Sequence, residues 1–222
     1  MSAAAHFAAL QALDTPVFST NDVSAVLGIS AQAANKVASR LADAGLLLHL
    51  TRGRWAVQGR IDPLSLPAHL AAPHAAYVSL QTALYQHGMI SQIPQVTYAV
   101  TTGRTRRWIT PAGTVSLHHL DPAMFFGYEP SAAPDVWLAV PEKALLDVFY
   151  LGPARSRLFT RLPEVEIPRG FSQKRFREMA ERIPYPGRRA LVMQRWKKLR
   201  GVSPSGHQPL PPSSASGVPG RK

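Results

Sequence analysis

The sequence predicts an α+β chain built from two structured units. Three observations predict it. The first 60 residues hold three short helical periodicities closed by a Gly-containing hairpin, and residues 96–140 hold successive β-rich segments. Beyond residue 172 the pattern returns to helix, now strongly basic.

In chain order, Ala3 to Leu13 reads as a helix, with Phe7, Leu10 and Leu13 at spacings of three, ended by Thr15-Pro16. Ser19 or Thr20 starts a second helix. Asp22 stands three residues after Ser19, a capping-box spacing, Val23, Val26 and Leu27 give the apolar stripe, and Gly28 ends it. Ile29 and Ser30 make a tight turn, with Ser30 as N-cap of a third helix, Ala31 to Ala44, whose apolar positions are Ala34, Val37, Ala38 and Leu41. Leu46 to Leu50 and Trp55 to Val57 read as short strands around Thr51-Arg52-Gly53-Arg54, a basic hairpin tip. Helix, helix, tight turn, helix and basic hairpin, in that order, predict a winged helix-turn-helix over residues 1–60.

Residues 61–200 predict a mixed α/β C-terminal domain with terminal basic helices. Asp62-Pro63 and Pro67 mark a linker or an extended entry, and Tyr77 to Gln86 reads as a helix that buries Leu80, Ala83 and Leu84. Val96 to Thr101 reads as a strand, Arg104 to Ile109 and Thr114 to Leu120 as a hairpin around Pro111-Ala112-Gly113, and Val136 to Val140 as another strand. Pro141 opens a helix that is apolar nearly all round, a pattern that predicts burial. A β-like stretch near Val165 to Ile167 precedes helices at Ser172 to Arg182 and Gly187 to Leu199. Residues 201–222, rich in Ser, Pro and Gly, are expected to form a disordered tail.

Charge narrows the function. The formal net charge is +12, distributed as +2 over residues 1–60, −2 over 61–150, +10 over 151–200 and +2 over 201–222. A polyanion suits such a segment, because each Lys or Arg laid on a phosphate releases condensed counterions. Nucleic acid is favoured over a membrane surface, since the basic helices need their apolar faces for packing. No apolar run approaches the roughly 18 residues of a membrane span. Met1 to Leu13 lacks the basic start of a signal peptide, so a cytoplasmic, nucleoid-associated protein is expected. With no cysteine in the chain, disulfides, zinc ribbons, thiol nucleophiles and iron–sulfur ligation are excluded.

In a helix-turn-helix the second helix enters the major groove N-terminus first, so the informative residues lie near that end, outside the apolar stripe. Here they are Gln32, Ala33, Asn35, Lys36, Ser39 and Arg40. Gln and Asn can bond adenine bidentately, Lys and Arg guanine, and Ser30 at the helix N-terminus suits a phosphate. The competing reading is the polar face of a plain helical bundle; the hairpin, with Arg52 and Arg54 able to reach backbone or minor groove, favours DNA. Trp55 is assigned to the core.

Two later clusters are candidate nucleic-acid or acidic-partner surfaces. Arg104, Arg106 and Arg107 beside Trp108 can place arginine on phosphate and tryptophan on a base, although a charged strand edge that blunts aggregation has the same composition. Lys174, Arg175, Arg177, Arg182, Arg188, Arg189, Arg195, Lys197, Lys198 and Arg200 are too dense for a merely solvated face.

The chain resembles the AbiEi-type antitoxins of type IV toxin–antitoxin systems over about residues 5–200. The resemblance rests on the N-terminal module followed by Tyr77-Val78-Ser79-Leu80-Gln81-Thr82-Ala83-Leu84, His87-Gly88-Met89-Ile90, Val96 to Thr102, Phe125-Phe126-Gly127 and Ala139-Val140-Pro141-Glu142-Lys143-Ala144-Leu145-Leu146-Asp147. It implies an antitoxin that represses its own two-gene operon through the N-terminal domain, with antitoxicity associated with the C-terminal domain. The implied partners are double-stranded operator DNA and a nucleotidyltransferase-like toxin that is counteracted without a stable complex. A homodimer or cooperative binding on DNA is the expected assembly.

Other chemistries fare worse. Pro134-Asp135 with Glu142-Lys143 superficially suggests a metal-dependent nuclease, but such sites put acid and lysine on alternate positions of one strand, and here they adjoin at a helix start. The eight histidines include no i, i+4 pair, and His118 and His119 point to opposite faces of a strand. No Gly-rich phosphate loop or Gly-x-Ser-x-Gly elbow occurs. No catalytic site, metal or cofactor is therefore expected. The alternative to the antitoxin is a single-component winged-helix transcription factor with a ligand-sensing C-terminal domain, which a concave apolar pocket in residues 61–150 would favour.

Overall fold

A computed structural model describes residues 2–152 and 164–201. In the first unit, α1 (Ala3–Gln11) starts at Ser2, whose hydroxyl accepts from the Ala5 N–H, and stops two residues before Leu13. Strand β1 (Val17–Ser19) follows, too short for periodicity to reveal. Helix α2 (Thr20–Leu27) carries the full capping box: Ser19 Oγ accepts from the Asp22 N–H at 3.2 Å, and the Asp22 carboxylate accepts from the Ser19 N–H at 2.6 Å. Gly28, at φ 63°, closes it in the left-handed conformation that glycine adopts without strain. Helix α3 (Ala31–Asp43) runs from its Ser30 cap and buries Ala34, Val37, Ala38 and Leu41. The hairpin strands β2 (Leu47–Thr51) and β3 (Arg54–Val57) join β1 in an antiparallel sheet of order β1-β3-β2.

The second unit runs α4 (Leu66–Ala71), β4 (Ala76–Val78), α5 (Leu80–Gln86), β5 (Thr97–Thr101), β6 (Arg106–Thr110), β7 (Gly113–His119), β8 (Tyr128–Pro130), β9 (Trp137–Ala139), α6 (Pro141–Leu151), α7 (Gln173–Glu181) and α8 (Pro186–Gly201). Its six-stranded sheet has the order β6-β7-β5-β4-β9-β8, with β5–β7 and β4–β9 parallel and the other pairs antiparallel. Eight helices and two sheets among the described residues make the chain α+β.

Three local expectations are corrected and one strand is new. The entry around Pro67 is not extended: Pro67 occupies the first turn of α4, where its missing N–H costs nothing. Tyr77 to Gln86 is not one helix, because Tyr77 and Val78 pair with Val100 and Ala99 in the sheet, and the helix begins only at Leu80. Strand β8 had no sequence signal. Val165 to Ile167 forms no strand, although the Glu166 N–H donates to the Met89 carbonyl at 2.9 Å. The expected tail lies, apart from Gly201, outside the described residues.

Alternation along the strands sorts the large sheet into two faces. Tyr77, Val100 and Ala139 turn to the core formed with α5, α6, α7 and α8, which holds Leu84, Leu145, Phe149, Phe176 and Trp196. Ala76, Ala99, Val115 and Leu117 turn the other way and meet Leu66 and Leu70 of α4 together with Val17, Leu50 and Ala56 of the small sheet. The small sheet is likewise two-faced, for Phe18, Leu47, Trp55 and Val57 pack on α1, α2 and α3. The layers are therefore helices, large sheet, small sheet with α4, and helices again.

On β7, His118, 7% exposed, sits beside Ser116, whose hydroxyl is 3.0 Å from Nε2. Burial pushes its pKa from 6.5 down to about 4. Between those values the unfolded chain binds the extra proton, so the contribution of His118 is complete above pH 6.5 and is lost as the pH falls towards 4. The slope is at most about 1.4 kcal/mol per pH unit. A His118→Gln variant should show a flatter fall in melting temperature between pH 6.5 and 4 than the wild type; parallel curves would exclude this role.

Candidate nucleic-acid interface

Helix α3 presents the predicted residues outward. Gln32, Asn35, Lys36 and Arg40 are exposed opposite the buried stripe, and Ser39 is half-buried at its margin. The Arg40 Nε donates to the Lys36 carbonyl at 3.4 Å, which lays its side chain back along the helix. Ser30 has a second duty, since its hydroxyl already accepts from the Ala33 N–H at 3.3 Å.

The two hairpin arginines part company. Arg52 is exposed at the tip, whereas Arg54 is half-buried on the strand face it shares with Ala56, turned to the second unit. Its charge there reaches His69, whose pKa burial lowers, with Asp135 opposing and Arg54 reinforcing the fall. Trp55 is in the core: its Nε1–H donates to Thr20 Oγ1 at 3.1 Å and its ring packs on His49 with centroids 4.5 Å apart. That contact fixes the hairpin against α2.

Arg106 and Arg107 are exposed on β6, an edge of the large sheet, which also runs beside β2, and Arg104 is exposed in the loop just before it. Arg106 lies over Trp108 at 5.6 Å from the ring centroid. Trp108 itself is half-buried and packs against the apolar cluster between the sheets, so that ring is already committed.

The late basic cluster divides by task. Arg195 donates to the Phe149 carbonyl at 3.3 Å and Arg188 to the Tyr150 carbonyl at 3.0 Å, satisfying carbonyls left open at the end of α6. Arg189 donates twice to the Ile183 carbonyl, at 3.2 and 2.7 Å. Arg182 stacks on Phe126 at 3.5 Å, and Arg200 lies over Trp196 at 5.9 Å. Arg175 stands 3.9 Å from the Glu142 carboxylate. Lys174, Arg177, Lys197 and Lys198 remain exposed. Much of the charge that suggests a polyanion surface therefore serves helix ends and aromatic rings.

The acid and lysine at the start of α6 are turned apart and buried. Glu142 accepts from the Ser172 N–H at 2.6 Å and so anchors α7. Lys143 and Asp147, both fully buried, pair one turn apart, and Asp147 also accepts from the Tyr77 hydroxyl at 3.0 Å and the Ser79 hydroxyl at 2.8 Å. Burial lowers the Lys143 pKa against the pull of Asp147, while burial and then Asp147 raise that of Tyr77 well above 10.0. The sequence signal for this network was an i, i+4 Lys–Asp pair inside an otherwise apolar helix.

One shallow depression of about 350 Å³ lies between β8 and α7, lined by Gly127, Tyr128, Val140, Arg175, Met179 and Arg182. Among the described residues no group of three or more His, Asp or Glu is placed to hold a metal ion, and no helix is long and apolar enough to cross a membrane. No protein-family model matches the chain, and none of the curated proteins matches it.

Removing one partner of the buried ion pair should cost far more than neutralising both. Lys143→Met leaves Asp147 charged and unpaired, for a loss of about 3–5 kcal/mol in urea unfolding. Lys143→Met with Asp147→Asn keeps an acceptor for Tyr77 and Ser79 and should recover most of that loss. Equal destabilisation of the two variants would count against the pairing.

Proposed function

We propose that the chain is a DNA-binding antitoxin that represses its own type IV toxin–antitoxin operon, with a winged helix-turn-helix as its DNA-reading unit. The observation that carries this is the outer face of α3, where Gln32, Asn35, Lys36 and Arg40 stand exposed on a helix capped at Ser30 and supported by two further helices and a hairpin. Sequence choice falls to that face, and Arg52 at the hairpin tip adds a backbone contact. The antitoxin half rests on the resemblance of residues 5–200 to AbiEi-type proteins, which also implies a nucleotidyltransferase-like toxin opposed without a stable complex. The alternative is a winged-helix transcription factor that senses a ligand through its C-terminal unit; the depression beside α7, shallow and walled in part by charged residues beyond residue 150, is not the concave apolar pocket in residues 61–150 that would favour it.

Binding to a duplex carrying the region upstream of the gene tests the DNA reading. Replacing Gln32, Asn35 and Lys36 together by Ala should abolish the footprint while leaving weak, salt-sensitive binding. Neutralising Lys174, Arg177, Lys197 and Lys198 should flatten the salt dependence and leave the footprint in place. An unchanged footprint in the α3 variant sinks the assignment. Growth of cells expressing the chain and its downstream neighbour, singly and together, tests the antitoxin half: rescue of a toxic neighbour supports the antitoxin, and a harmless neighbour leaves a plain regulator.

A further inference from the structure

We infer that the depression between β8 and α7 binds a small nucleoside monophosphate, a ligand with a planar base at one end and an anion at the other. Two guanidiniums reach it from α7 and its C-cap, because Arg175 and Arg182 are seven residues apart, about two helical turns, and Arg182 keeps the helical conformation. Arg182 stacks on Phe126 at 3.5 Å, and among the described residues no acceptor takes its N–H donors. A ring-stacked guanidinium offers those donors at its edge, as a planar fork that suits phosphate oxygens. Arg175 is held only by Glu142 at 3.9 Å, with its side chain 55% exposed.

The opposite wall carries one aromatic ring. Tyr128 lines the depression, and one of its faces is stacked on Tyr77 with centroids 4.5 Å apart, which leaves only the other face for a base. A base stacked on such a ring gains about 1–3 kcal/mol. Glu129 and Glu178 at the rim can accept from ribose hydroxyls or an exocyclic amine. They also balance the two arginines, so a bare phosphate gains little and the stacking contact decides. The volume, about 350 Å³, lies at the low end of small-molecule sites and suits one nucleotide. Gly127 lets the walls close behind the site: its φ is 73°, and a Cβ there would lie 3.1 Å from Met179 Cε and from Lys143 Cγ. None of the lining comes from the α3 face, so this site stands or falls apart from the DNA reading.

Calorimetric titration of the full chain with AMP, GMP, CMP and UMP, and in parallel with adenosine and inorganic phosphate, tests the inference. At least one mononucleotide should bind saturably and at least about tenfold more tightly than either adenosine or phosphate. Arg182→Gln should weaken that binding at least about tenfold, and Tyr128→Leu at least about threefold, with thermal melts confirming that both variants fold. The inference is overturned if none of the four nucleotides binds at millimolar concentration, if phosphate alone binds as well as the nucleotide, or if folded Arg182→Gln binds like the wild type.

Discussion

Everything in the second unit hangs on a carboxylate that has no contact with water. Asp147, in the middle of α6, gathers the Lys143 ammonium, the Tyr77 hydroxyl and the Ser79 hydroxyl, all of them buried. A charge so placed is tolerated only when paired and hydrogen-bonded. The requirement therefore dictates more than itself: it draws the segment from Tyr77 to Ser79 into extended form across α6 and puts β4 in the interior of the six-stranded sheet. The turn that follows is correspondingly sharp. Leu80 takes φ 57°, a left-handed value that costs a non-glycine residue of the order of 1 kcal/mol, and the buried leucine at that position is part of what offsets it.

With β4 fixed, the far face of the sheet is fixed too, and that face is what the first unit rests on. Ala76, Ala99, Val115 and Leu117 form a small-residue floor that admits α4 and the strands carrying Val17, Leu50 and Ala56. The small sheet thus serves two cores at once, with Trp55 and Val57 facing the α3 bundle and Ala56 facing the large sheet. An exposed α3 on a free module would tumble relative to the rest of the chain. Here its orientation passes through β3 and an apolar cluster into the second unit, and Arg54 is the residue that shows the consequence: the strand alternation that seats Ala56 also takes Arg54 away from the hairpin's outer surface.

What the sequence makes legible is what local physics decides. The Ser19–Asp22 capping box, the Gly28 stop and the buried stripe of α3 are all set within a few residues, and each is found where its spacing predicts. The errors fall where a distant group overrules a local preference. Tyr77 to Gln86 has helical spacing, but Asp147, some seventy positions away, claims its first residues for the sheet. Strands β1 and β8, three residues each, exist only because β3 and β9 supply partners. The candidate site is legible to the same degree: the outward positions of α3 follow from helix period alone, whereas the inward turn of Arg54 and the depression beside α7 depend on contacts between units remote in sequence.

The basic C-terminal segment shows why net charge is an incomplete guide to partners. Its arginines and lysines behave differently, and the difference is chemical. A guanidinium carries several donors in one plane and sheds water readily, so it can cap a carbonyl and lie on a ring with its stem buried. Arg188, Arg189 and Arg195 accordingly take backbone carbonyls, and Arg182 and Arg200 take aromatic faces. An ammonium is compact and strongly hydrated, and Lys174, Lys197 and Lys198 stay in solvent. The Lys174–Glu178 pair, at 3.9 Å with both side chains largely exposed, contributes little. Of the charge on α7 and α8, the part free to meet a polyanion is thus mostly lysine with Arg177, while most of the arginines hold the two helices to α6 and to each other. A basic segment of this kind is both a scaffold and a surface, and the Lys-to-Arg distinction within it, already visible in the sequence, separates the two uses better than the total charge does.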